Sequence, residues 1–123
     1  MRLRLVHVAI LAFALAAGGC DLLYQDPPLT FTPDALVDAH VGQPYDQDIV
    51  IAANVTPAYL FSVQNGLLPA GLAIEKVAGS TTTGHIFGTP LTAGTSTFEV
   101  SVACFGTNRS GQTGTKAYTL TVR

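Results

Sequence analysis

From Leu29 to the C-terminus, apolar and polar residues change places over short distances, and no stretch repeats at helical spacing. The clearest alternation is "STFEVSVACF" (96–105). There Phe98, Val100, Val102 and Cys104 share one parity, while Thr97, Glu99, Ser101 and Ala103 share the other. Successive strand side chains point to opposite faces, so this run predicts a strand with one buried and one wetted face. "KAYTLTVR" (116–123) repeats the pattern, with Tyr118, Leu120 and Val122 inward and Thr119 and Thr121 outward. The glycine-rich, polar segment between them, Gly106 to Thr115, predicts a long hairpin loop. Further strands are expected at 29–32 with 35–37, and at 48–52, 59–63, 72–75 and 84–87. About seven short antiparallel strands with turn residues between them predict an all-β sandwich. Within "GHIF" (84–87), the same parity puts Ile86 in the core and sets His85 and Phe87 on the outer face.

The first twenty residues follow a different rule. Arg2 and Arg4 precede an apolar block from Val8 to Ala17, which then gives way to small residues. The block is shorter than the roughly 20 residues a membrane-spanning helix needs, so it predicts an export signal that takes no part in the fold. Ala17-Gly18-Gly19-Cys20 resembles the lipobox of bacterial lipoproteins. That resemblance implies lipidation of Cys20, cleavage just before it, and acylation of the new N-terminus, because several acyl chains hold a protein to a membrane where one does not. The expected organisation is a signal peptide over 1–19, the lipidated cysteine and a short tether over 20–28, and a sandwich domain over 29–123.

Loss of the signal removes two of the six basic residues and none of the eight acidic ones, leaving four against eight, or −4. A mildly acidic body with scattered cations excludes nucleic acid as an expected partner and leaves membrane attachment to the lipid. With Cys20 lipidated, Cys104 has no partner for an internal disulfide, and its inward parity predicts a buried thiol acting as a small apolar group.

Three segments together resemble the immunoglobulin-like domains of bacterial surface proteins, the He-PIG type, which are relatives of cadherin-like sandwiches. They are Gly42/Pro44/Tyr45, then Leu68-Pro69-Ala70-Gly71-Leu72, then Gly88-Thr89-Pro90 followed by Ala93-Gly94-Thr95. The resemblance covers about residues 35–123 and implies spacer, adhesion or carbohydrate-associated roles. Calcium-binding cadherins rely on acidic clusters between repeats, and here the position after the long strand reads Ala103-Cys104-Phe105.

No CxxC, HExxH, phosphate loop or nucleophile motif occurs, and His40 and His85 are the only histidines beyond the signal. No catalytic residue, cofactor or bound metal is therefore expected. Asp46 and Asp48, with Asp34, Asp38 and His40 near in sequence, offer either hard oxygen ligands or a solvated acidic edge, and the second is favoured. His85 and Phe87 are candidates to stack on a sugar ring or a partner side chain; the alternative is packing against a cross-strand neighbour. Asn108 and Arg109, with Ser110 and Gln112, supply hydrogen-bonding groups on the long loop. The expected role is a non-catalytic structural or protein-interaction module, lipid-anchored at the bacterial cell envelope. The alternative is carbohydrate binding or adhesion through His85, Phe87 and the 106–115 loop.

Overall fold

The alternating run at 94–122 forms the longest hairpin of the molecule. A computed structural model describes residues 25–108 and 110–123, and in it seven strands follow one another: β1 (Thr30–Thr32), β2 (Tyr45–Ala52), β3 (Ala58–Gln64), β4 (Leu72–Lys76), β5 (Thr83–Gly88), β6 (Gly94–Cys104) and β7 (Thr113–Val122). They form two antiparallel sheets, ordered β1-β2-β5-β4 and β3-β6-β7. This four-plus-three arrangement is that of a constant-type immunoglobulin sandwich.

The inward residues of both sheets make one core. Ile49 and Ile51 of β2 and Ile86 of β5 meet Phe61 of β3, Phe98, Val100, Val102 and Cys104 of β6, and Tyr118, Leu120 and Val122 of β7. The parity expected for β6, β7 and Ile86 is the parity observed. The sheets approach closely where Gly84 of β5 lies beneath the ring of Phe61, because glycine leaves the space that the ring fills.

Two strands, β2 and β7, start three residues earlier than expected. β2 starts at Tyr45, immediately after Pro44, because its first residues pair with the end of β5, Tyr45 opposite Gly88. The β6–β7 loop is shorter than the sequence suggests, since Thr113 and Gly114 already pair with Ala103 and Val102.

The strand expected at 35–37 does not form. The chain leaves β1 at Pro33, which has no amide proton to donate to a ladder, and crosses to the other sheet. There Ala39 makes a parallel bridge to Val122, donating to Thr121 O at 2.9 Å and accepting from Arg123 N at 2.8 Å. Four side-chain bonds fasten this crossover. Tyr45 Oη donates to Val37 O and Tyr118 Oη to Pro33 O, each at 2.8 Å, while Lys116 pairs with Asp34 at 3.1 Å and Arg123 with Asp38 at 2.7 Å. Both phenols are pushed up to about 12, first by burial and then by the neighbouring Asp38 or Asp34 charge.

The three hallmark segments converge at one end of the sandwich. Gly71 adopts φ +93° in the turn closed by Leu72 N to Pro69 O (3.1 Å), and an added Cβ would collide with Thr89 O at 2.0 Å. Positive φ at the third turn position is what a type II turn requires, so glycine is dictated twice over. Leu91 N then donates to Ala70 O and Gly42 N to Pro90 O, both at 2.9 Å, tying the corner, the Gly88-Thr89-Pro90 turn and the approach to β2 together.

Candidate functional site

The outer face of the four-stranded sheet is an ordered lattice of side chains from three strands. His85 of β5 stands directly opposite Asp48 of β2 on one side and Glu75 of β4 on the other. The next row along the strands is Asp46, Phe87 and Ala73. His85 Nδ1 lies 2.9 Å from Asp46 Oδ1, on the diagonal, and Nε2 lies 3.4 Å from Glu75 Oε1. The imidazole stacks on Phe87 with ring centroids 4.7 Å apart and 25° between planes. Burial of the ring disfavours its charged form. The hydrogen bonds and charges of Asp46 and Glu75 outweigh that effect, and His85 titrates above the ordinary histidine value.

His85 and Phe87 thus face outward as strand parity predicts, but each covers part of the other. His85 keeps 20% of its side-chain surface exposed, and Phe87 is half-buried. The acidic residues grouped with Asp46 and Asp48 by sequence lie elsewhere, since Asp34 and Asp38 are engaged with β7. His40 is exposed and its carbonyl accepts from Gln43 N. Asp46 and Asp48 occupy the half of β2 that β1 does not flank, since β1 pairs only with residues 50–52. Among the described residues, Asp46, Asp48 and His85 are the group whose ligand-type atoms gather closely, all within 4.8 Å of one another.

The β6–β7 loop sits at the end of the sandwich where β2 and β6 finish. Asn108 is exposed there, while Arg109 and Cys20 lie outside the described residues. Gln112 serves the fold. Its Oε1 accepts from Val55 N at 2.6 Å, and its Nε2 donates to Pro27 O at 2.8 Å and Ala53 O at 3.0 Å. It thereby joins the N-terminal segment, the β2–β3 connection and the loop. The partners His85 shows are Asp46, Glu75 and Phe87, and the cavity beside this loop is lined by other residues.

An aromatic pair beside the loop escapes the sequence reading. Tyr59 and Phe105 are 47% and 53% exposed, with centroids 4.9 Å apart and tilted by 39°. Phe105 edges a cavity of about 80 Å³ that Asp26, Thr56, Thr107 and Ser110 also line. Phe105 was detectable, because it has the outward parity of β6 and precedes Gly106. Tyr59 was not, because a bulge between Ala58 and Leu60 breaks the alternation in β3. At the opposite end of the sandwich a shallow groove of about 280 Å³ runs between 67–70 and 92–96, with Leu67 fully displayed at its edge.

Cys104 is buried and free, and burial raises its thiol pKa. Burial and a thiol held protonated both lower nucleophilicity, which makes Cys104 an apolar packing residue of the core.

Comparison with known proteins bears on the fold and the family. A search of curated protein sequences finds no match. Among solved structures, the SrpA adhesin from Streptococcus sanguinis aligns at 12% identity and a TM-score of 0.51, over 80% of this chain and 58% of that one. A mutant of the same adhesin aligns at 10% identity and 0.49, over 80% and 57%. The chain therefore spans less than two thirds of those adhesin structures, and at such identity the likeness concerns the fold alone. The family described as "Putative Ig domain" matches residues 27–123, the stretch that holds all seven strands and the three converging turn segments. On that match, the chain belongs to the He_PIG family of immunoglobulin-like domains.

Proposed function

We propose that this protein is a cell-envelope lipoprotein, anchored through acylated Cys20 and carrying its immunoglobulin-like domain as a non-catalytic structural or protein-interaction module. The observation that carries the reading is the order of the N-terminal sequence: two arginines, an apolar block, small residues, then Cys20, seven residues ahead of the start of the family match. Residues 1–19 are the signal peptide, 20–28 the tether and 29–123 the domain. The Gln112 bond to Pro27 O ties the C-terminal part of the tether to the loop end of the sandwich. Fractionation tests the anchor. Wild-type protein is expected in the membrane fraction and to take up radiolabelled fatty acid, and Cys20→Ala is expected to lose both. A Cys20→Ala protein that stays membrane-bound and labelled overturns the reading.

A second reading, glycan binding or adhesion, is supported by the exposed Tyr59–Phe105 pair beside a loop that carries Asn108 and Arg109. Exposed aromatic faces stack on sugar rings, and neighbouring polar groups then fix orientation. The adhesin named above shares only the fold. A glycan that binds wild type and Phe105→Ala equally well would rule out that surface.

A further inference from the structure

We infer that Asp46, Asp48 and His85 form a binding site for a divalent cation of the zinc class on the outer face of the four-stranded sheet. Three protein donors with a fourth position left to water is the pattern of open zinc sites. Zinc bonds of about 2.0–2.1 Å place neighbouring tetrahedral donors about 3.3 Å apart. His85 Nδ1 and Asp46 Oδ1 are already 2.9 Å apart, and all three residues bring ligand atoms within 4.8 Å of one another. Asp48 stands directly opposite His85 in the β2–β5 ladder, and its side chain is exposed. The donors stand on two paired strands, so the ladder fixes their spacing as a loop would not.

The donor set selects the metal. Calcium takes six to eight hard oxygens, which two aspartates on one sheet face do not supply. An imidazole nitrogen combined with carboxylate oxygens suits zinc and its transition-metal neighbours. Glu75 strengthens the case from the far side of the ring. Metal-bound histidines generally donate their second N–H to a carboxylate, which fixes the tautomer. In the metal-free protein Nδ1–H donates to Asp46 Oδ1; a cation bound there would displace that proton to solvent and take the Nδ1 lone pair, while Nε2–H stays on Glu75 Oε1. Stacking on Phe87 holds the plane of the ring.

Electrostatics point the same way. Three carboxylates surround one imidazole, and among the described residues no lysine or arginine pairs with any of them. Lys76, next to Glu75 in sequence, directs its ammonium to Val77 O and Ser80 O. Lys116 and Arg123 are engaged by Asp34 and Asp38. A divalent cation would neutralise this face and clamp β2 to β5.

The test is isothermal titration of zinc into the full chain, purified in detergent and stripped with chelator, at neutral pH. One zinc per chain is expected. His85→Gln and Asp48→Asn should each weaken binding at least tenfold, and His40→Ala should leave it unchanged. Glu75→Gln should weaken it by roughly 10-fold or more, as loss of an orienting carboxylate does. Zinc at 100 times its dissociation constant should lower the apparent unfolding constant about 100-fold, which a melting curve reads directly. Calcium should do neither. The ¹⁵N resonance of His85 Nδ1 should move on zinc addition, a response that a purely structural histidine would not give. Circular dichroism confirms that each variant folds, all of them being changes outside the core. Absence of zinc binding in the wild type, or binding that survives both His85→Gln and Asp48→Asn, would overturn the assignment.

Discussion

Replacing Gly84 by alanine tests the closest approach between the two sheets. A Cβ at this position would lie 2.3 Å from Cδ1, 2.5 Å from Cγ and 2.9 Å from Cε1 of Phe61. Those are the near atoms of a buried ring that is 3% exposed, so a small motion of a flexible end cannot relieve the overlap. Overpacking of this kind costs about 1–3 kcal/mol. Alanine recovers about 0.5–1 kcal/mol of the backbone entropy that glycine loses in a strand. At the midpoints of these ranges the balance is a net destabilisation of about 1.25 kcal/mol, or a fall in melting temperature of about 5–10 °C at the 4–8 °C per kcal/mol expected for a domain this size. The diagnostic comparison is a double-mutant cycle with Phe61→Leu. Alone, Phe61→Leu opens space by removing three carbons and costs about 2.4 kcal/mol at roughly 0.8 kcal/mol per carbon lost. If ring and methyl compete for one volume, the pair should be more stable than the summed singles by about 1 kcal/mol. Urea melts of the four proteins give the coupling. A Gly84→Ala protein as stable as wild type, or costs that simply add, would show that the sheets do not meet there as described.

Four further outcomes follow from side chains the fold uses. Tyr118→Phe removes the hydroxyl that donates to Pro33 O and should cost about 0.5–1.5 kcal/mol in urea melts. Tyr45 and Tyr118 are raised from 10.0 to about 12 in the folded protein, so unfolding favours their deprotonation. Their contribution is intact below pH 10 and is lost as pH rises towards 12, and the double Tyr→Phe variant should flatten that alkaline decline. Cys104 should resist maleimide in the native state and react once urea unfolds the domain; fast native labelling would contradict its burial. Gln112→Ala removes the partner of Val55 N, Pro27 O and Ala53 O, which water can then replace, and should cost about 0.5–1.5 kcal/mol. Faster hydrogen exchange at Val55 should accompany that loss.

The core was legible because strand parity is a local property. Phe98, Val100, Val102 and Cys104 announce a buried face through spacing alone, and the observed burial of all four needs no long-range information. The outward position of His85 was legible for the same reason. Its neighbours were not. Asp46 and Glu75 lie 39 and 10 residues away, and only the order β2-β5-β4 brings both to one imidazole. Sequence proximity pointed instead to Asp34 and Asp38, which the crossover between sheets carries to the side of β7.

Asn108 and Gln112 show where polar composition stops being informative. Both are amides on one glycine-rich loop, and sequence gives no ground for treating them differently. The difference arises from what each meets. Gln112 reaches the β2–β3 connection and the N-terminal segment, whose Val55 N–H, Ala53 O and Pro27 O need partners, and it is used up in satisfying them. Asn108 remains exposed. A hydrogen-bonding side chain is free to recognise a ligand only after the backbone of the fold has taken its share. Which loop residues survive that competition depends on contacts 57 to 85 residues away in sequence.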